Sequence, residues 1–356
     1  MALNPLPPAA SGVPKALLVV AVLVAAGIGT ASTAVYYDLR PASAAPPGGT
    51  NATVTVVDDL GRVVTAPLNA SRLVVLAPSV MDIVYRLGLR DRVVGIGCTT
   101  GIAGGIDNEY SPNQTVLWNL SAALCITDYP VLDTEKVAEL DPGLVLASTI
   151  TSASDAATLN ETYHLPVVIL APSGLDGIVG DVGLVARLFP SVAATATVLE
   201  ASLQQTLTNA TTIDSNLSEN NITIPSVFAT YGFYSGTYYT FGPGTFGQSL
   251  VEYAGGASLS AGVPLEYYGL NASVVLVDQP AVILYGTSWN DPYLVAGQTP
   301  SVWNSSAPYW DQLNGTKVAV DVTLLTEAGP SMILALPWYL HDLHPTLVPA
   351  PTGPPA

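Results

Sequence analysis

Aromatic side chains offer the clearest chemistry in this chain of 356 residues, because many of them fall in one short segment. Residues 231–241 read YGFYSGTYYTF, so six of the eleven side chains carry a ring. Ring faces suit a flat or polycyclic ligand, and tyrosine hydroxyls can orient such a ligand or coordinate ferric iron. We expect two or three of these rings to belong to the core and two or three to line a cleft. The aromatic candidates for ligand binding are Trp118, Tyr231, Tyr234, Tyr238 and Trp289.

Side chains that hold bare metal ions are few. The chain has three histidines and two cysteines, and two of the histidines, His341 and His344, lie together near the end of the last predicted helix. They lack the spread of histidine and carboxylate ligands that a Zn²⁺ or Mn²⁺ carrier needs. We therefore predict no site for a bare metal ion.

Charge narrows the choice of ligand and partner. The chain carries 27 acidic and 10 basic residues, a net charge of −17, which argues against binding to nucleic acid. The arginines fall in sequence typical of a scaffold, whereas a strongly anionic chelate would need several cations around it. The scarcity of cations favours a neutral or weakly charged metal complex such as a corrinoid.

Motifs of common enzymes are absent from the sequence. It contains no G-x-S-x-G elbow, no P-loop and no H-E-x-x-H. The glycine cluster at residues 101–105 is typical of a turn rather than of a phosphate-binding loop. The chain is therefore predicted to bind a small molecule without transforming it, and to hold no prosthetic group.

The elements that position these residues begin with a clear pattern. Residues 53–97 predict a β-hairpin, a buried strand over 73–77, a short helix and a second apolar strand. Ser79 is expected to be the N-cap of the helix, and Gly88 to end it. A strand that leads into a helix presents free backbone N–H groups, so Pro78 and Ser79 are predicted to contact the ligand.

Strands and helices then alternate along two halves of the chain. Residues 134–170 predict helix, strand, helix and strand, which is typical of a parallel sheet covered on both faces. VAELDPGLVLAS, from Val137, and VVLVDQPAVILYG, from Val274, share a helix end, an Asp, a Pro and an apolar strand. The halves are therefore predicted to be distant copies of one α/β lobe. Residues 175–208 between them show helical spacing, and Pro190 should kink or split that helix.

Five motifs in the first lobe resemble one family. They are Asp58-Asp59-Leu60-Gly61-Arg62, Arg72-Leu73-Val74, Ala77-Pro78-Ser79, Leu87-Gly88-Leu89 and Asp91-Arg92-Val93-Val94-Gly95. Their order and spacing are similar to those of the substrate-binding proteins that serve iron–siderophore and vitamin B12 ABC importers. The resemblance implies the class III periplasmic-binding fold, an α/β fold with two Rossmann-like lobes joined by a long backbone helix. It also implies a metal-chelate cargo (a corrinoid such as cobalamin, haem or a ferric siderophore) and delivery to a permease with its ATPase.

The same resemblance implies a docking residue on each lobe. In the family, a surface glutamate of each lobe contacts arginines of the permease, and Glu135 matches the first of them. The matching place in the second lobe, near Ser273, carries no acid, and Glu266 would substitute only if the loop is rearranged. An ordinary solvated charge near a helix N-terminus is the alternative interpretation of Glu135.

The N-terminal region is predicted to reach the membrane. Residues 16–37 carry no charge and are long enough to cross a bilayer as a helix. Lys15 precedes them and Asp38 follows, so the positive-inside tendency places the body of the protein outside the cytoplasm. An anchor is favoured, although Ser32-Thr33-Ala34 would suit cleavage of a signal peptide, in which case the protein is secreted.

The predicted organisation follows from these patterns. It comprises a cytoplasmic N-terminus (1–15), a transmembrane anchor or signal peptide (16–37), a flexible tether (38–51), an N-terminal α/β lobe (52–173), an inter-lobe backbone helix (174–210), a C-terminal α/β lobe (211–344) and a Pro-rich disordered tail (345–356). The expected location is the cell surface, on the extracytoplasmic side of the plasma membrane.

Cysteines and glycosylation sequons fit an exported protein. Cys98 and Cys125 would form one disulfide outside the cytoplasm, with two free buried thiols as the alternative. Eleven Asn-x-Ser/Thr sequons suggest a glycoprotein, and with the membrane segment and no cysteine soon after it they suggest an archaeal-type cell surface. The sequons begin at Asn51, Asn69, Asn113, Asn119, Asn160, Asn209, Asn216, Asn221, Asn271, Asn304 and Asn314.

Two other functions remain open alongside the importer hypothesis. One is a surface glycoprotein or sensor that kept the fold but lost transport, which the missing acid of the second lobe suggests. The other is an enzyme of the same architecture with a bound metal centre, for which the chain has few cysteine and histidine ligands.

Overall fold

The computed structural model describes residues 52–98, 124–128, 131–149, 151–219, 222–287 and 300–352. Its strands are β1 (Thr53–Val57), β2 (Val63–Pro67), β3 (Leu73–Val75), β4 (Val93–Cys98), β5 (Leu124–Thr127), β6 (Leu144–Ala147), β7 (Val167–Ile169), β8 (Ser226–Tyr234), β9 (Thr237–Phe241), β10 (Ala257–Ser258), β11 (Tyr267–Asn271), β12 (Val282–Thr287) and β13 (Thr316–Asp321). Its α-helices are α1 (Pro78–Arg86), α2 (Thr134–Glu139), α3 (Ala153–Glu161), α4 (Gly174–Leu188), α5 (Ala193–Glu219), α6 (Phe246–Tyr253), α7 (Ala272–Asp278), α8 (Pro300–Ser306), α9 (Thr323–Thr326), α10 (Pro330–Leu334) and α11 (Leu336–Leu343). The predicted membrane segment and tether, 16–37 and 38–51, lie outside the described residues, as do Trp118 and Trp289.

The first sheet is parallel and has the strand order β5-β4-β3-β6-β7. Its central strands, LVV in β3 and LVLA in β6, are buried along their whole length, as expected where helices cover both faces. The order of the strands reverses at β3, and ligands of such sheets bind outside the carboxyl ends of the strands near that point. The turn at Pro78 and Ser79 follows the carboxyl end of β3.

The second sheet has the strand order β11-β9-β8-β12-β13, and β8, β12 and β13 are parallel. An antiparallel hairpin joins β8 to β9, and its turn residues Ser235 and Gly236 both have positive φ, 48° and 82°, as a tight hairpin turn requires. β11 pairs antiparallel with β9, so this edge of the sheet is mixed. The two predicted α/β lobes are confirmed, and the antiparallel edge of the second distinguishes it from the first.

The two sheets share the central one of three apolar clusters. The central cluster joins one face of each sheet with α1, α4, α5, α6, α10 and α11. A second cluster packs α2 and α3 on the outer face of the first sheet, and a third packs α7 and α8 on the outer face of the second. The order of layers is therefore helix, sheet, helix, sheet, helix. Because one cluster contains Val75 of the first sheet and Leu284 of the second, the lobes are packed against each other through the central helices.

The connection between the lobes differs from the predicted single helix over 174–210. It consists of α4 and α5, which are bent by 120° at the break before Pro190. The break at Pro190 is as predicted, because proline cannot donate the helical hydrogen bond and its ring displaces the preceding turn. The long element is α5 alone, which runs to Glu219 and so extends past the predicted boundary.

The start of α1 also differs from the prediction. Ala77 is the N-cap, with extended backbone and no side-chain bond, and Pro78 occupies the first turn. Proline is favoured at this position because its fixed φ suits the helix and its missing N–H would be unpaired there anyway. Ser79 is consequently inside the first turn rather than at the cap. Gly88, with φ of 73°, follows the end of the helix as predicted.

The C-terminal residues are ordered further than predicted for a disordered tail at 345–356. Val348 is buried in the central cluster, and its carbonyl oxygen lies 2.7 Å from Nδ1 of His341. The helix expected before it is two helices, α10 and α11, which meet at Ala335, where Pro337 begins a new first turn. The described start of the tail thus belongs to the second lobe.

The DDLGR motif covers the outer edge of the first sheet. Asp58 is buried, and one carboxylate oxygen accepts bonds from Nε and Nη2 of Arg62, at 2.9 and 2.6 Å, and from the backbone N of Ile169 in β7 at 3.2 Å. Asp59 accepts a 2.6 Å bond from the backbone N of Ala171, just after β7. The motif therefore pairs with an edge strand that would otherwise present unsatisfied backbone groups.

A buried carboxyl group lies behind this motif. Asp181 of α4 is only 2 % exposed. Its burial raises its pKa to about 9 from 3.8, and the neighbouring Asp59 adds a side-chain hydrogen bond and negative charge that act in the same direction. Asp181 is therefore protonated at neutral pH in the folded protein and ionised in the unfolded chain.

This difference predicts that the protein loses stability as pH rises. Between about pH 4 and pH 9 the folded state holds a proton that the unfolded state has released, so the free energy of unfolding falls by up to about 1.4 kcal/mol per pH unit. Asp181→Asn, which keeps a neutral side chain of the same shape, should flatten that dependence. Urea unfolding at pH 5, 7 and 8.5 measures it, with the exposed Asp311→Asn as control. Parallel pH profiles for the wild type and Asp181→Asn would contradict the assignment.

Candidate functional site

The carboxyl edge of the first sheet places Pro78 and Ser79 where the sequence predicts ligand contact. Pro78 is buried and Ser79 is half-buried at the start of α1. Ser148, which follows the carboxyl end of β6 beside β3, is also buried. Ser79 and Ser148 thus stand at the position where the strand order of the first sheet reverses.

A segment of the second lobe lies directly against this edge. A Cβ placed on Gly329 would stand 3.1 Å from the carbonyl oxygen of Ser79 and 2.9 Å from Oδ2 of Asp82, so only glycine fits there without displacement. The backbone N of Ser331 donates to Oδ2 of Asp82 at 2.6 Å. The loop between α9 and α10 therefore brings the second lobe to the start of α1.

Four aromatic rings form a cluster on the inner face of the second sheet. Tyr231 of β8 has its ring centroid 6.1 Å from that of Tyr239, 5.1 Å from that of Phe241 and 6.3 Å from that of Tyr267. Phe241 is buried, Tyr231 and Tyr239 are half-buried, and Tyr267 is 52 % exposed. Because Tyr231 lies beside Gly286, near the carboxyl end of β12, the cluster reaches the edge that is expected to bind ligand.

The surroundings of Tyr231 and Tyr267 favour the protonated form of their hydroxyls. Burial raises the pKa of Tyr231 to about 12, with Tyr267 and Tyr239 acting in the same direction. Burial and the negative charges of Glu327 and Glu266 raise the pKa of Tyr267. Coordination of ferric iron needs a phenolate, which this environment opposes. The arrangement instead offers a surface of aromatic rings.

Glu327 also connects this cluster with the first lobe. It acts electrostatically on Tyr267 and stands two residues before Gly329, which contacts Ser79. The tyrosine cluster and the turn of the first lobe thus flank the same short loop. The cluster and the turn are taken together as the candidate site because each lies at the carboxyl edge of its sheet, where such sheets bind ligands.

Two predicted aromatic ligand residues have other roles or positions. The prediction for Tyr238 is wrong, because its side chain is fully buried, stacks on Trp303 with ring centroids 6.1 Å apart, and donates a 2.6 Å hydrogen bond to the carbonyl of Pro308. Alternation along β9 turns Tyr238 to the outer cluster and Tyr239 to the inner face. Tyr234 is 64 % exposed beside the hairpin turn.

Tyr239 and Tyr267 join the candidate site without having been predicted for it. Tyr239 was in the aromatic segment, but simple alternation from Tyr231 does not select it, because the register shift between Thr230 and Gly232 turns Phe233 to the outer cluster. Tyr267 is 26 positions beyond Phe241 and reaches the cluster only because it pairs with Phe241 across β11 and β9. No local pattern in the sequence shows that pairing.

The predicted docking residue Glu135 is exposed in the first turn of α2. Asp133 caps that helix, as Asn271 caps α7, so Glu135 and Ser273 are each the second residue after a cap. Ser273 thus occupies in α7 the position that Glu135 occupies in α2. Glu266 precedes β11 and Ser273 follows it, so the two residues are separated by about 17 Å along the strand.

The structure joins Cys98 and Cys125 by a disulfide. Cys98 ends β4, Cys125 lies in the neighbouring β5, and their Cα atoms are 5.6 Å apart, within the range of native disulfides. The bond closes a sequence separation of 27 residues at the carboxyl edge of the first sheet. That stretch of sequence includes Trp118.

The described residues also bear on metal binding and on membrane insertion. No group of three or more His, Cys, Asp or Glu side chains within this part of the chain could hold a metal ion. Over the same residues, no single helix is long and apolar enough to cross a membrane, and only the bent pair of α4 and α5 meets those limits when taken together.

Comparisons with known proteins fit this architecture. A curated cobalamin-binding protein of Halobacterium salinarum is 25 % identical over 311 residues, which cover 83 % of this chain and 75 % of that protein. The apo periplasmic haem-binding protein RhuT of Roseiflexus sp. RS-1 has a TM-score of 0.60 and 20 % identity, and the match covers 78 % of this chain and 100 % of RhuT. The periplasmic vitamin B12-binding protein BtuF of Vibrio cholerae has a TM-score of 0.59 and 17 % identity, covering 78 % and 98 %.

These structures support the periplasmic-binding fold. The periplasmic binding protein family model matches residues 73–299, which is more than half of the chain and includes parts of both lobes. The chain therefore belongs to the periplasmic binding protein family.

Proposed function

We propose that this protein is the extracytoplasmic substrate-binding component of an ABC importer and that its cargo is a metal chelate of the corrinoid type. The observation that carries the proposal is the cluster of aromatic rings that Tyr231, Tyr239 and Tyr267 form near the carboxyl end of β12. Such a surface suits a large ring system held by apolar contact and neutral hydrogen bonds. The cobalamin-binding relative supports the same class of cargo.

Charge at the site ranks the alternative cargoes. The charged groups that act on Tyr267 are Glu327 and Glu266, both carboxylates. They disfavour an anionic ferric siderophore and the carboxylates of haem, which proteins usually pair with arginine or lysine. A corrinoid with amide groups at its rim meets no such repulsion. Haem and ferric siderophores stay as second and third candidates.

Delivery to a permease and its ATPase is part of the proposal. Glu135 is exposed on the first lobe at the place where the resembling family docks. The neutral Ser273 on the second lobe is the observation that favours the alternative, a surface glycoprotein or sensor that has lost transport. Binding of cargo alone does not separate these two, whereas failure to bind any chelate would favour the alternative.

Calorimetric titration of the full-length chain in mild detergent tests the cargo. The panel holds cyanocobalamin, haem, a neutral ferric hydroxamate and an anionic ferric catecholate. We expect saturable binding of cyanocobalamin, and about tenfold weaker binding by Tyr231→Ala because it loses the central ring of the cluster. Tyr231→Phe is the matched control, since it keeps the ring.

Two outcomes would overturn the cargo assignment. Selective binding of the anionic catecholate would show that the carboxylates near Tyr267 do not exclude anionic cargo. Equal cyanocobalamin affinity for the wild type and Tyr231→Ala, with both variants folded, would show that the ring cluster is not the binding surface.

A further inference from the structure

We propose that Asn271 and Asn304 carry N-linked oligosaccharides, which cover the outer helical layer of the second lobe. The inference rests on the proposed extracytoplasmic location, because the modification takes place on exported chains. Asn271-Ala272-Ser273 and Asn304-Ser305-Ser306 are both sequons with no proline at the middle position. The structure separates these two from Asn216 and Asn314 by the state of the acceptor amide, and from Asn69 and Asn209 by exposure.

The acceptor nitrogen is available at both positions. At Asn271, Oδ1 accepts bonds from the backbone N of Ser273 at 2.9 Å and from its hydroxyl at 2.8 Å. At Asn304, Oδ1 accepts a 2.8 Å bond from the indole N–H of Trp310. A backbone N–H and an indole N–H can only donate, so the atom that each one contacts must be the amide oxygen Oδ1. Nδ2 therefore points away from these donors. Among the described residues neither Nδ2 has a hydrogen-bond partner, and both side chains are exposed.

Other sequons in the described ranges are less suited. Nδ2 of Asn314 donates to the side chain of Gln279 at 3.2 Å, and Nδ2 of Asn216 donates to the carbonyl of Thr212 at 2.7 Å. Asn69 and Asn209 are half-buried, so their amides are less accessible than those of the exposed Asn271 and Asn304. Asn160 is exposed on α3 and is the next candidate after the proposed pair.

The surface next to Asn271 gives independent support for a covering group. Val274 and Val277 follow Asn271 at intervals of three residues and therefore lie on the same face of α7. Val277 is 81 % exposed and Val274 is 42 % exposed, which leaves an apolar patch on a chain with only 10 % charged residues. An oligosaccharide on Asn271 would shield this patch and make it hydrophilic.

The transfer needs a polyprenyl-phosphate-linked oligosaccharide as donor and an oligosaccharyltransferase as catalyst. Nδ2 loses one proton and forms a bond to the anomeric carbon of the first sugar. The bond between that carbon and the phosphate oxygen of the lipid breaks, and the lipid phosphate leaves with the bonding electrons. The hydroxyl of Ser273 or Ser306 is the recognition group of each sequon and is retained.

Glycopeptide mass spectrometry of the full chain tests the inference. The chain is expressed in an archaeal host with its own N-glycosylation, and the host's surface glycoprotein in the same preparation shows that the machinery acted. We expect glycosylated peptides at Asn271 and Asn304. Ser273→Ala should remove the first and Ser306→Ala the second, while Ser273→Thr keeps the first. Asn216→Gln is the matched control and should leave the glycan pattern unchanged.

Unmodified peptides at both positions, in a preparation whose host glycoprotein is modified, would overturn the inference. So would a glycan at Asn271 that survives Ser273→Ala. The titration with cyanocobalamin uses unglycosylated protein from a bacterial host, so the outcomes separate. If the bacterial protein binds cyanocobalamin but the archaeal protein carries no glycan at either position, only this inference fails. If the archaeal protein is glycosylated but the bacterial protein does not bind cyanocobalamin, only the proposed cargo fails.

Discussion

Replacing Asp82 by alanine is expected to lower the free energy of unfolding by about 3–5 kcal/mol. Asp82 and Arg86 lie one turn apart on α1, with side chains only 3 % and 11 % exposed, and Nε of Arg86 donates to Oδ1 at 2.8 Å. Oδ2 accepts the backbone N of Ser331, and Nη2 of Arg86 donates to the Ser331 hydroxyl at 2.8 Å. The alanine variant leaves a buried guanidinium and a buried N–H without their acceptor.

Urea unfolding of the single and double variants measures this effect. Asp82→Ala/Arg86→Met should recover part of the loss, because it also removes the unpaired buried charge. The exposed Asp91→Ala should change the free energy of unfolding by no more than about 0.5 kcal/mol. If the loss of unfolding free energy in the double variant equals the sum of the losses in Asp82→Ala and Arg86→Met, the two side chains are not coupled.

Removing the Cys98–Cys125 bond is the second large change, with an expected loss of about 3.5 kcal/mol. The estimate follows from the chain entropy that a separation of 27 residues returns to the unfolded state. Cys98→Ala/Cys125→Ala is the suitable variant, because Cys98 is fully buried and a serine there would add an unpaired hydroxyl. Thermal unfolding at a fixed scan rate measures the change.

Reduction of the wild type is the matched control for the disulfide, because it breaks the bond without changing a side chain. The reduced wild type and the double alanine variant should melt at similarly lowered temperatures, and dithiothreitol should leave the variant unchanged. If reduction leaves the melting temperature of the wild type where it was, the bond does not contribute to stability.

Much of the fold could be predicted because its signals are local. The buried runs LVV and LVLA, the break at Pro190 and the end of α1 at Gly88 each follow from the residue types at those positions. The repeated helix–Asp–Pro–strand pattern correctly indicated a second lobe. The cap at Ser79 failed because Pro78 begins the helix one residue earlier and leaves Ala77 as the cap.

The candidate site was harder to predict because it depends on pairing between distant strands. Tyr231 was found from composition, but Tyr238 was misplaced because its neighbour Tyr239 is the one on the inner face. Tyr267 enters through the register of β11 against β9. The contact of Gly329 with Ser79 joins residues 250 positions apart in sequence, which no pattern within one segment can show.

The central cluster shared by both sheets has a consequence for the speed of cargo capture. Swinging the lobes apart would expose apolar surface of that cluster to water, at about 2.5 kcal/mol for each 100 Å². Under the proposed function, the cost of that exposure keeps the two lobes close to the arrangement described here, so that cargo meets a site that is already formed. Capture is then limited by encounter and orientation rather than by a closing motion.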